Sequence, residues 1–105
     1  MLKPKKLFNK NFLSSLDMST EEVMHVLELA TSFKNKDQDL KFDSKVLGLI
    51  FDKSSTRTRV SFQVAMSRIG GTTIDLNPTT SQIGRGEPIK DTARVLSRYC
   101  DVIAI

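Results

Sequence analysis

A short apolar run, Val46-Leu47-Gly48-Leu49-Ile50-Phe51, gives way almost at once to residues 53–59, every one of which carries a hydroxyl or a positive charge. No part of the chain constrains the fold more. The run is too short for a buried helix and is bounded by charge at both ends. Its length and branched content predict a strand over residues 45–51, buried on both faces as in a parallel sheet. Past the turn, Phe62, Ala65, Met66 and Ile69 fall at i, i+3, i+4 and i+7, and Val60 and Val64 widen the stripe. That spacing predicts a helix with Ser55 as its N-cap, stopped by Gly70-Gly71. A strand that passes through a hydroxyl- and arginine-rich turn into a helix is a place to hold an anion. The helix start offers free N–H groups and a partial positive charge.

The same alternation continues. Residues 72–76 read as a second strand ended by Asn77-Pro78, and 79–87 as a polar surface loop. Pro88 suits the first position of a helix whose face is Ile89, Thr92, Ala93, Leu96 and Tyr99. Residues 101–105 read as a third strand. Upstream, Ser19-Thr20-Glu21-Glu22 fits a capping box with Met18 and Val23 as its staple. The apolar face of that helix is Val23, Val26, Leu27, Ala30 and Phe33. The only histidine, His25, lies off this stripe and reads as a surface residue. Leu7, Phe8, Phe12, Leu13 and Leu16 suit a short helix or an extended segment packed on the body, and 34–44 is a connection. The expected fold class is α/β, a parallel sheet flanked by helices and built from βαβ units, within one domain over residues 1–105. A chain that stops on Val-Ile-Ala-Ile, with no helix to cover that strand, is expected to be the front part of a longer protein.

Composition narrows the function classes. The net charge is +4, but Lys3, Lys5, Lys6 and Lys10 supply all of it, and the rest carries 12 bases and 12 acids. The basicity therefore belongs to a terminal tail and gives no nucleic-acid-binding face. No segment approaches the roughly 20 apolar residues of a membrane span, and no apolar stretch of a secretion signal follows the basic start. One cysteine, Cys100, excludes an internal disulfide framework and reads as a buried thiol. Together these features favour a cytoplasmic setting.

With Ser55 as N-cap, Thr56, Arg57 and Thr58 occupy the first helical turn. Their hydroxyls lie near free N–H groups, and the planar guanidinium of Arg57 can bind two phosphate oxygens at once. Residues two apart on a helix point about 200° apart, so Arg57 and Arg59 cannot serve one ligand. Arg57, in the first turn, is the better placed, which leaves Arg59 for a role such as a salt bridge. From these residues alone an anion site and a plain capped helix with solvated arginines stand on comparable terms. The P-loop pattern is absent, and Gly84-Arg85-Gly86 does not lead from a strand into a helix as dinucleotide motifs do. No histidine, cysteine or carboxylate grouping suits a metal or a nucleophilic pair.

The segment Phe51-Asp-Lys-Ser-Ser-Thr-Arg-Thr-Arg-Val-Ser-Phe62 resembles the carbamoyl-phosphate signature of the aspartate/ornithine carbamoyltransferases. Gly70-Gly71, Ser81-Gln-Ile-Gly-Arg-Gly-Glu-Pro88 and Asp91-Thr-Ala-Arg-Val-Leu-Ser-Arg-Tyr99 resemble the ornithine branch. The resemblance runs from about residue 5 to the last residue. It implies that residues 1–105 are an incomplete carbamoyl-phosphate-binding domain without the ornithine-binding domain, inactive alone. Ser55, Thr56, Arg57 and Thr58 would bind the phosphate, with Arg57 also stabilising charge on the carbonyl oxygen and the leaving group. Gln82 would be a further contact, on a loop reaching a neighbouring subunit of a homotrimer. The reaction implied joins carbamoyl phosphate and L-ornithine into citrulline and phosphate, without cofactor, metal or covalent enzyme intermediate.

Overall fold

The computed structural model describes residues 10–36, 40–51, 55–77 and 89–105. The chain divides into two compact units, Met1–Asp39 and Leu40–Ile105.

In the first unit a 3-10 turn, Ser15–Asp17, precedes helix α1, Thr20–Lys34. The expected capping box is present: the Glu22 N–H donates to the Ser19 hydroxyl at 3.1 Å, and the Ser19 N–H donates to the Glu22 carboxylate at 2.9 Å. Two N–H groups at the start of the helix are thereby satisfied locally. A similar box, Ser14 with Asp17, closes the 3-10 turn. Of the apolar pattern upstream, Phe12, Leu13 and Leu16 are exposed, and Leu7 and Phe8 lie outside the described residues. Within the α1 stripe Phe33 is half-buried, while Val23, Val26 and Leu27 remain exposed; His25 is half-buried.

The second unit holds the predicted alternation: β1 Val46–Ile50, α2 Thr56–Arg68, β2 Thr72–Leu76, α3 Ile89–Tyr99 and β3 Val102–Ala104. Both pairings are parallel and the strand order is β2-β1-β3, so the apolar run of the central turn is the middle strand. With right-handed crossovers this order places α2 and α3 on opposite faces. The α/β class expected of the sequence is the class observed.

Strand β1 is the axis of packing. Leu47, Leu49 and Phe51 point to one face and form the buried cluster, against which Met66 of α2 and Ala104 of β3 pack. Leu49 is fully buried at 0% exposure. On the other face Gly48 leaves a tight space: an added Cβ would lie 3.0 Å from the Cys100 sulfur, which would have to give by a few tenths of an ångström, and 3.6 Å from Ile103. Cys100 is accordingly half-buried, short of the fully buried thiol expected.

Helix α2 ends as its glycines require. Gly70 sits at φ +86°, and the N–H groups of Gly70 and Gly71 donate to Ser67 at 3.3 Å and to Met66 at 2.9 Å. This 5→2 and 6→1 pair is a Schellman closure, which needs a residue without a Cβ penalty at the left-handed position. The Ile69 carbonyl accepts from the Phe42 N–H at 2.6 Å, so the segment before β1 braces the end of α2. At the start of β1 the Asp101 carboxylate accepts the Val46 N–H at 2.8 Å, which aligns β3 with β1. The expected apolar face of α3 is narrower in the structure: Thr92 and Leu96 are half-buried, but Ile89 and Tyr99 are exposed. Among the described residues no helix is long and apolar enough to cross a membrane.

Candidate functional site: the start of α2

Helix α2 begins one position after Ser55, as the spacing predicts, so Ser55 is the N-cap residue with Thr56, Arg57 and Thr58 in the first turn. The cap differs from that of α1 in a way that matters for ligands. Ser55 adopts φ −104°, ψ 37° and its side chain makes no capping hydrogen bond. No acid lies in the first turn of α2, whereas α1 carries Glu21 and Glu22 and α3 carries Asp91 at that position. A helix start without acid or side-chain cap keeps its partial positive charge and N–H donors available to an external anion.

The side chains add to that field. Thr56, Arg57 and Thr58 are exposed and Ser55 is half-buried. Arg57 forms no ion pair or hydrogen bond with any described residue. Arg59 is held elsewhere: its Nε donates to Asp75 Oδ1 at 3.0 Å and its Nη2 to the Phe51 carbonyl at 2.7 Å. Arg59 is therefore in a salt bridge, the role helical geometry left for it. The carbonyl contact was not anticipated; a main-chain acceptor eight residues upstream leaves no trace in a residue pattern. Asp75, by contrast, was a visible signal, an acid standing alone inside a strand.

The sequence-predicted residues Ser55, Thr56, Arg57 and Thr58 thus share one helical turn at the C-terminal end of the central strand. Gln82 lies outside the described residues, as does Pro88. Among the described residues no group of three or more histidine, cysteine, aspartate or glutamate side chains could hold a metal ion. What the turn can do is chemically narrow: it can hold a compact, multiply charged oxyanion by main-chain N–H groups, hydroxyls and one bidentate guanidinium.

Fold and turn together define a class, the parallel α/β domains in which a helix starts just beyond the C-terminal end of the central strand. Within it, the chain belongs to the aspartate/ornithine carbamoyltransferase family: residues 10–105 match the carbamoyl-P binding domain. The whole chain is 78% identical to an ornithine carbamoyltransferase of Prochlorococcus marinus subsp. pastoris strain MED4, of which it covers 34%. Among solved structures, the ornithine carbamoyltransferase of Pyrococcus furiosus matches 92% of the chain with a TM-score of 0.81 at 46% identity, over 32% of its own length. The catalytic subunit of M. jannaschii aspartate transcarbamoylase matches 90% of the chain with a TM-score of 0.74 at 37% identity, again over 32% of its length. The chain spans about a third of the length of these relatives.

Proposed function

We propose that this domain binds carbamoyl phosphate at the start of α2 and takes part in its transfer to the δ-amine of L-ornithine, giving L-citrulline and phosphate. The observation that carries this is the uncapped, acid-free first turn of α2 bearing Arg57, in a chain that matches a carbamoyl-phosphate-binding domain over residues 10–105. Ornithine as acceptor is supported by relatives 78% and 76% identical to the chain, both ornithine carbamoyltransferases.

In the reaction the neutral δ-amine attacks the carbamoyl carbon, a C–N bond forms, and the C–O bond to phosphate breaks. The amine loses a proton and the departing phosphate takes one up. Phosphate leaves only when its charge is held. Donors fixed at a helix start need no reorganisation as that charge develops. Ser55, Thr56, Thr58 and the first-turn N–H groups would grip the phosphate, and Arg57 would span the phosphate and the carbonyl oxygen. Gln82 would add a contact from the 79–87 loop of a neighbouring subunit, which makes the working unit a homotrimer. Orienting two bound substrates contributes much of the remaining acceleration, so no nucleophilic side chain is needed. The setting is the cytoplasm and the metabolic role is arginine biosynthesis.

The test is a chimera in which these 105 residues replace the matching segment of the Prochlorococcus relative. Citrulline formation within about tenfold of that relative's rate is the expected result. A chimera that folds and assembles but makes no citrulline contradicts the proposal.

A further inference from the structure

Arg59 occupies an unusual place for a residue that faces away from the proposed ligand. Its backbone N–H donates to the Ser55 carbonyl at 2.9 Å, the first hydrogen bond of α2. Its guanidinium donates to the Phe51 carbonyl at 2.7 Å, the last carbonyl before the turn. One residue therefore grips both ends of the segment that joins β1 to α2. The third contact, Nε to Asp75 Oδ1 at 3.0 Å, fastens the same side chain to β2, where Asp75 pairs in register with Leu49 of β1. Arg59 is only 17% exposed, so these bonds are partly shielded from water, and charge-assisted bonds in that setting are stronger than exposed ones. The Phe62 ring, three residues on, stacks on Phe51 at 5.9 Å and fixes the same junction from its apolar side.

We infer that Arg59 is a positioning residue for the anion site: through Phe51, Ser55 and Asp75 it sets the height and tilt of the first turn of α2 above the end of β1. This rests on the proposed function, since the turn it sets is the one that would hold the phosphate. The physical consequence is asymmetric. Lysine keeps the positive charge opposite Asp75, but its ammonium is a point charge on a flexible stem and lacks the planar fork that holds the carboxylate and the carbonyl in one fixed geometry. The turn is then free to drift, and displacement of the order of an ångström at a reacting centre costs up to about a hundredfold in rate.

The chimera described above carries the test, with Arg59→Lys and Asp75→Asn compared with the parent well below their melting temperatures. The readouts are the Kd for inorganic phosphate, KM for carbamoyl phosphate, kcat and Tm. Arg59→Lys is expected to weaken phosphate binding roughly tenfold or more and to lower kcat in the folded protein. Asp75→Asn, which keeps the Phe51 bond, is expected to shift both in the same direction by less. Kd and kcat within twofold of the parent in these variants, with only Tm lowered, would overturn the inference and leave Arg59 a plain structural tie. If Arg59→Lys does not fold, Asp75→Asn decides alone on the same criterion. A parent chimera that binds phosphate yet makes no citrulline refutes carbamoyl transfer while leaving the phosphate readout to judge Arg59. A parent that binds no phosphate refutes both.

Discussion

Two arginines two positions apart, Arg57 and Arg59, show how little residue type says about role until geometry is added. Arg59 is spent on the framework, bonded to Asp75 and to the Phe51 carbonyl, whereas Arg57 is exposed and engages no described residue. An arginine without a partner among the described residues, beside an uncapped helix start, is what the proposed phosphate site would use. Replacing it by lysine keeps charge and loses the planar fork. In the citrulline-forming chimera, Arg57→Lys is expected to keep the melting curve and to lose on the order of 3 kcal/mol of transition-state stabilisation, about 100-fold in rate. Steady-state kinetics at saturating ornithine measures this, and a rate near that of the parent would remove Arg57 from the role given to it.

At the scale of elements, starts and stops govern the outcome. The α1 capping box satisfies two N–H groups at the start of that helix, and Ser19→Ala is expected to cost about 1 kcal/mol; a fall in Tm with an unchanged folded spectrum is the sign to look for. Gly70 is more demanding. Any side chain there meets a left-handed backbone at φ +86° and the Asp43 carboxylate at once. Gly70→Ala is therefore expected to cost about 2 kcal/mol, roughly 8–16 °C in Tm for a domain of this size. A melt within a degree or two of the parent would show that the Schellman closure can be made another way.

These features also mark what could be read in advance. Ser19, Glu22 and Gly70 act locally, through partners within a few residues, so their types and spacing announce them. The strand order β2-β1-β3, the Asp101 bond to Val46 and the reach of Arg59 to Phe51 join distant parts of the chain. No local pattern encodes them. The apolar stripes were legible as helical, yet periodicity says only which residues share a face. It does not say what covers that face, and so the exposure of Leu27, Ile89 and Tyr99 was not foreseen.

For the molecule as a whole, the core of the sheet unit is small. Among the described residues only Leu47, Leu49 and Phe51 are buried hydrophobics, all on one face of β1. Truncating Leu49, the fully buried member, removes contacts from the cluster against which Met66 of α2 and Ala104 of β3 pack. Leu49→Ala is expected to cost about 2–5 kcal/mol, a large part of the stability a single domain has. Loss of a cooperative melt is the outcome anticipated, and a transition shifted by only a few degrees would contradict this view of the core. The same strand leads into the start of α2, so the sheet centre and the proposed anion site share a single support. The central claim is that the phosphate sits at the start of α2. A crystal structure of the chimera with a phosphonate analogue of carbamoyl phosphate tests it most directly. The phosphonate is predicted within hydrogen-bonding distance of Arg57 and the first-turn N–H groups, with Arg59 still bonded to Asp75 and Phe51. A phosphonate bound elsewhere while Arg57 points to solvent, or Arg59 swung onto the ligand in its place, would contradict the account.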